Sequence, residues 1–237
     1  RARRSADLFD GYRIDHLVGF YRTYGRPRDG SPPFFTPAHE DDQLVLGERL
    51  LALFREAGAD IIAEDLGTVP DFVRASLARL RVPGFRVFRW ERHWHVDGQP
   101  FRDPAEYPPA SVATSGTHDT EPLIVWWEQA PADERAKAAR LPTVLRMNDG
   151  ASIEHAPYDP IVRDAILEAL FASGSDLLLL PVQDVFGWRE RINQPATVNA
   201  GNWTFKLPWP CDRLDDVPEA REKKERLSAW SVLHGRC

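Results

Sequence analysis

Short apolar runs alternate with helical patterns along this chain, and most of the runs end in acidic residues. The runs at 9–14, 60–63, 84–90, 111–115 and 177–182 have the length and flanking turn residues of β-strands. The 84–90 run alternates apolar and polar residues with a period of two. The 177–182 run is continuously apolar, with Pro181 near its end. Between them, 42–57, 70–80, 121–128, 133–140, 159–172 and 219–233 carry helical patterns. Pro70 and Asp71 suit the start of one helix, Asp159 and Pro160 open another, and Gly174 stops it. Strand followed by helix, repeated, predicts an α/β fold with a parallel sheet and crossover helices, whose strands are apolar on both faces. A doubly wound sheet and a partial (β/α)8 barrel both fit this order. No Gly-rich fingerprint follows the first strand, so a nucleotide-binding sheet is not supported. The segments 98–109 and 193–216 read as long surface loops.

What ends the strands carries the chemistry. Arg13-Ile14-Asp15-His16 closes the first run, Glu64-Asp65 follows the second, Thr117-His118-Asp119 the fourth, and Gln183-Asp184 the fifth. In a parallel barrel all these ends lie on one face, where active sites sit. Chain-distant carboxylates would therefore share a cleft. Two carboxyl groups flanking a glycosidic bond are the machinery of glycoside cleavage, and in the retaining version they stand about 5–5.5 Å apart. Like charges raise the pKa of one member, which then serves as the acid. A neighbouring Arg holds the other ionised. Arg13 lies two residues before Asp15, so both side chains point to one face of a strand.

Composition narrows the class. Hydrophobic residues make up 43% of the 237, enough for a sizeable core. Asp and Glu number 36 against 30 Lys and Arg, and a net charge of -6 argues against a nucleic-acid partner. The 2 cysteines, Cys211 and Cys237, form no disulfide framework and suit a reducing compartment. No apolar run approaches the roughly 20 residues that span a bilayer, so no membrane partner is expected. The basic start Arg1-Ala2-Arg3-Arg4 is followed by no apolar segment. The expectation is a soluble, cytoplasmic protein. The missing initiator Met and the early first strand suggest a cut through a longer chain.

The motifs Gly11-Tyr12-Arg13-Ile14-Asp15-His16, Ala63-Glu64-Asp65-Leu66-Gly67 and Gly116-Thr117-His118-Asp119 resemble those of the amylomaltases, the 4-α-glucanotransferases of the α-amylase clan. Pro181-Val182-Gln183-Asp184-Val185 and Arg191-Ile192-Asn193-Gln194-Pro195 extend the resemblance, in the same order, to about residue 210. It implies a partial (β/α)8 TIM barrel, roughly strands four to eight, with 1–237 forming the C-terminal portion of a single catalytic barrel and no second independent domain. The missing N-terminal half would be a partner. The implied activity is retaining disproportionation of α-1,4-glucans, with no cofactor and no metal. An α-glucan hydrolase of the same clan, or an inactive fragment needing the missing half, are the alternatives. The resemblance makes Asp15 the nucleophile, Glu64 the general acid/base and Asp119 the residue that grips the ring hydroxyls of the sugar. Arg13 would pair with Asp15, His118 would hydrogen-bond the same sugar, and His16 and Asn193 would make further substrate contacts. Two departures stand out: Phe88-Arg89-Trp90-Glu91-Arg92 is less apolar than the family version, and Pro195-Ala196 replaces a Pro-Gly pair.

Plainer roles are expected elsewhere. Asp65, Gln183 and Asp184 read as structural, Trp126-Trp127 as helix packing, Trp203 and Trp209 as packing, and His93-Trp94-His95 as a surface segment lacking a third metal ligand.

Overall fold

The computed structural model describes residues 1–236. Cys237 lies outside the described residues, and Cys211 is exposed. The chain forms two compact units, 1–85 with 110–112, and 86–109 with 113–237. In chain order the first unit holds α1 (Ala2–Ala6), β1 (Gly11–Ile14), α2 (Val18–Tyr21), β2 (Thr23–Gly25), β3 (Phe34–Thr36), α3 (Glu40–Arg55), β4 (Asp60–Ala63) and α4 (Asp71–Arg79). Strands β5 (Gly84–Val87) and β6 (Ser111–Thr114) each run from one unit into the other. The second unit adds α5 (Leu123–Gln129), α6 (Ala132–Ala139), α7 (Pro142–Met147), α8 (Pro160–Phe171), β7 (Leu177–Leu178), α9 (Val182–Phe186) and α10 (Pro218–Leu233). The architecture is α/β, with a five-stranded sheet in the order β1-β4-β5-β6-β7. Strand order follows chain order, as expected when each strand is returned by a crossover to the next position. A separate antiparallel hairpin joins β2 and β3.

In the first unit, Ile14, Ile61 and Ala63 of the sheet pack with Tyr21, Leu51 and Val73. Tyr21 is fully buried and donates its hydroxyl to Ser76 Oγ at 2.9 Å. Gly47 of α3 faces that ring so closely that a Cβ would sit 2.3 Å from it. In the second unit α8 is buried nearly all round and sits at the centre of the core. Its N-cap is Asp159, which accepts from Val162 N at 2.9 Å, ahead of Pro160. Trp127 is fully buried there and donates its indole N–H to Ala156 O at 3.1 Å. No helix among the described residues is long and apolar enough to cross a membrane.

Several local expectations shift. The 84–90 run leaves the strand conformation after Val87, because Trp90 N and Glu91 N both turn back to Val87 O. Phe88 N still donates to Thr114 O at 2.9 Å. The 177–182 run is a strand only over Leu177–Leu178, and α9 starts directly after Pro181. Proline has no N–H for a ladder but suits a helix start, so Gln183 and Asp184 fall in a helical first turn rather than at a strand end. The 98–109 segment is not simply a surface loop, since Phe101 and Tyr107 are buried and a 3-10 turn spans Pro104–Glu106. The β2–β3 hairpin and α7 had no expectation attached.

Candidate active site

β1 and β4 run parallel, with Ile14 opposite Ala63. Asp15 and Glu64 are therefore the next residue on each of two neighbouring strands. Backbone pairing continues past them, as Glu64 N donates to Ile14 O at 2.9 Å and Leu17 N to Glu64 O at 3.1 Å. Arg13 and Asp15, two residues apart, form an ion pair at 2.7 Å, with three quarters of the Asp15 side chain exposed. The Arg13 guanidinium also lies 5.7 Å from the centre of the Phe85 ring. Glu64 is fixed by main-chain donors on both oxygens, His16 N at 2.8 Å on Oε2 and Leu66 N at 2.9 Å on Oε1. His16 adopts a left-handed backbone with φ 46°. The strand-end pair thus links the Asp15 segment directly to the Glu64 carboxylate.

Asp65 has a different environment. It is buried, accepts Phe85 N at 2.8 Å and pairs with Arg74 at 3.2 Å. A Cβ at Gly84 would lie 2.4 Å from its carboxylate, so a side chain there would displace it. The Asp65 carboxylate ties the end of β4 to β5.

The second unit gathers His118, Asp119 and Asn193. Asn193 Nδ2 donates to Asp119 Oδ1 at 2.6 Å, and His118 Nε2 lies 3.4 Å from Asp119 Oδ2. Asn193 N donates to His118 O at 3.1 Å, and Thr117 Oγ1 accepts Asp119 N at 3.2 Å. The exposed Trp203 ring sits 5.2 Å from the His118 ring. The side chains of His118 and Asp119 are both partly open to solvent. An imidazole, a carboxylate and an amide side by side form a hydrogen-bonding set suited to sugar hydroxyls.

Next to this set lies a more buried polar layer. Asp184 is buried and accepts from Leu123 N at 2.6 Å and from Ser115 Oγ at 2.5 Å. Burial pushes its carboxyl pKa up, against the pull of those two donors and of the Arg89 charge. Gln183, also buried, has no hydrogen-bond partner on either amide atom among the described residues. It lines a small pocket with Thr117, Thr120, Glu121, Asp184 and Arg191. Of the residues named from sequence, Arg13, Asp15, His16 and Glu64 come together in the first unit, and His118, Asp119 and Asn193 in the second.

Sequence reasoning gave no role to Glu121, Arg89 or Arg191. Arg191 precedes Asn193 by two residues, the spacing that singled out Arg13 and Asp15, and that repeat was the available signal. Trp203, expected in packing, is exposed beside His118. Trp209 does pack, against Phe186 at 5.6 Å and Trp188 at 5.7 Å. His93 pairs with Glu106 at 3.2 Å.

A family model described as 4-alpha-glucanotransferase, of glycoside hydrolase family 77, matches residues 1–212. The 4-alpha-glucanotransferase of Chlamydia caviae is 32% identical over 214 residues, covering 87% of this chain and 39% of that protein. The chloroplastic/amyloplastic 4-alpha-glucanotransferase of Arabidopsis thaliana is 27% identical over 240 residues, covering 100% of this chain and 38% of that protein. The amylomaltase from Streptococcus agalactiae, solved in complex with acarbose, superposes with a TM-score of 0.71 at 22% identity, covering 99% of this chain and 43% of that one. The amylomaltase from Corynebacterium glutamicum gives 0.67 at 24% identity, covering 95% and 36%. This chain spans about two fifths of the length of the curated relatives it matches.

Proposed function

The chain belongs to the 4-alpha-glucanotransferase family, and from that premise we propose that it supplies the catalytic carboxylates for retaining transfer between α-1,4-glucans. The observation that carries the proposal is the pair Asp15 and Glu64, one residue beyond Ile14 and Ala63 on adjacent parallel strands, with Glu64 bonded to the amide after Asp15.

Asp15 attacks the anomeric carbon of the donor sugar while the bond from that carbon to the leaving oxygen breaks. Glu64 gives its proton to that oxygen, and a β-glycosyl ester forms on Asp15. The Arg13 guanidinium, 2.7 Å from Asp15, orients the carboxylate for that attack. Glu64, now ionised, takes a proton from the acceptor hydroxyl. That oxygen attacks the same carbon from the opposite face and releases Asp15, so two inversions give net retention. Asp119, joined to Asn193 and flanked by His118, accepts hydrogen bonds from hydroxyls of the sugar being cleaved, and these strengthen as its ring flattens. His16 and Asn193 make further contacts to the substrate. The complex of the Streptococcus agalactiae amylomaltase with acarbose supports a glucan-like ligand. No step calls for a metal or an organic cofactor.

The test uses the protein expressed from its complete gene, with maltotriose as sole substrate. Longer oligosaccharides plus glucose mean transfer to a sugar, while shortening alone means that water resolves the intermediate. Asp15→Asn and Glu64→Gln should each lower kcat by at least about 10³-fold while leaving the unfolding free energy within about 0.5 kcal/mol of wild type. Turnover within tenfold of wild type in either variant rejects the role assigned to that residue.

A further inference from the structure

We infer that Arg191, anchored through Glu121 to the buried Arg89, is the positioning residue that holds Asp119 and Asn193 in register. The inference deepens the reading of Asp119 as a substrate-gripping group and rests on it for its catalytic consequence.

Arg191 uses its guanidinium in three directions. Nη2 donates to the main-chain oxygen of Asp119 at 2.6 Å, and Nε donates to the main-chain oxygen of Asn193 at 3.0 Å. Nη1 faces Glu121 Oε2 at 3.6 Å. One planar group therefore clasps two backbone segments whose side chains meet in the Asn193 Nδ2 to Asp119 Oδ1 bond. The partners Arg191 and Asp119 are 72 residues apart in sequence, so no local turn fixes their spacing.

Glu121 is held in turn. Arg89 Nη1 donates to its Oε1 at 2.7 Å and to its main-chain oxygen at 3.0 Å. Arg89 is 4% exposed and lies 5.3 Å from the Trp126 ring. A buried guanidinium packed against an aromatic ring is a poor candidate for movement, since shifting it means repacking the core. The order of support runs from Arg89 through Glu121 and Arg191 to the Asp119–Asn193 pair. Lysine cannot reproduce the clasp, because one ammonium on a flexible stem lacks the planar fork that reaches two carbonyls and a carboxylate together. Small misplacement of a group that works in the transition state is costly in rate, with about 100-fold lost for about 1 Å.

The test is Arg191→Lys, Asp119→Asn and the double variant, in the protein expressed from its complete gene, with maltotriose. Arg191→Lys should lower kcat about 10- to 100-fold and change KM less than about threefold, since the contact it serves strengthens in the transition state. In the double variant, Arg191→Lys should cost clearly less than it does alone, because the larger part of its effect runs through the Asp119 carboxylate. Penalties that multiply overturn the inference, as does a change confined to KM. A second readout does not depend on turnover. In the 15N-labelled protein expressed from its complete gene, the Asn193 side-chain amide should resonate away from solvent-exposed amides and exchange slowly. Arg191→Lys should move it to the exposed range without lowering the folding midpoint. An unmoved resonance overturns the inference. If wild type shows neither transfer nor hydrolysis, the proposed function fails, and the Asn193 resonance still decides the positioning role.

Discussion

Replacing Asp184 tests whether the buried polar layer behind the His118–Asp119–Asn193 set is structural. Its two oxygens take the main-chain N–H of Leu123 at 2.6 Å and the hydroxyl of Ser115 at 2.5 Å, and both donor residues are fully buried. Asp184→Ala leaves both donors without an acceptor, and each orphaned buried donor costs about 1–3 kcal/mol. Arg89, itself buried, loses a neighbouring counter-charge as well. Ser115 can rotate its hydroxyl to recover part of the loss, so the expected penalty is about 3–5 kcal/mol. Asp184→Asn keeps the shape and one acceptor oxygen, and its NH2 group meets one donor with another; about 1–3 kcal/mol is expected. The measurement is urea denaturation followed by tryptophan fluorescence, because Trp126 and Trp127 lie on α5, whose first residue donates its N–H to Asp184.

The pH dependence has a defined sign. Burial raises the Asp184 pKa in the folded state above its unfolded value. Between those two values the folded protein keeps a proton that the unfolded chain has released, so stability from this group falls as pH rises. Asparagine has no such loss. The deficit of Asp184→Asn should therefore be largest in acid and shrink as pH climbs through the folded pKa. Both variants falling within about 0.5 kcal/mol of wild type would refute the orphaned-donor reasoning. A deficit that grows with pH would mean that Arg89 holds Asp184 ionised, opposite to the stated balance.

Two further substitutions probe the packing and backbone. Gly47→Ala places a methyl 2.3 Å from the Tyr21 ring, which is fully buried, and should destabilise the first unit by about 1–3 kcal/mol in the same denaturation assay; a neutral result would mean that α3 shifts freely. Ala196→Gly relieves a left-handed backbone with φ 58°, and should stabilise by about 0.5–1 kcal/mol after the added freedom of the unfolded glycine is subtracted; a net loss would show that the methyl is held by favourable packing.

Much of the fold was legible because β1, β4 and β6 are bounded by turn residues, and β6 is made of small and β-branched residues that are buried throughout. The long helices were legible from apolar spacing and from caps such as Asp159 with Pro160. Two strands came out shorter than expected for local reasons. Pro181 turns an apolar run into a helix start, and the amides of Trp90 and Glu91 fold back on Val87. The hairpin β2–β3 had no sequence signal because its strands are only three residues each and their aromatic residues Tyr24, Phe34 and Phe35 do not alternate with polar ones as in a half-buried strand. Within the site, Asp15 and Glu64 were visible as strand ends and Asp119 as part of a motif. The bond from His16 N to Glu64 depends on strand register, and the Arg89–Glu121–Arg191 chain joins residues scattered over three segments. No linear spacing encodes either. Pro195-Ala196 was visible in sequence as a turn segment, and the structure places Ala196 in a left-handed backbone with φ 58°.

The family match stops at residue 212, yet α10 begins beyond it and brings Trp230 to within 5.5 Å of the Phe171 ring, in the same core as α8. His234 reaches Glu168 at 3.1 Å, and Arg236 bonds to Ser173 at 3.0 Å. A boundary drawn where the family match ends would thus cut through a packed interior. Trimming there would strip an apolar face from α8 and invite clumping, so any dissection of this protein should follow the grain of its packing and not the last residue of the family match.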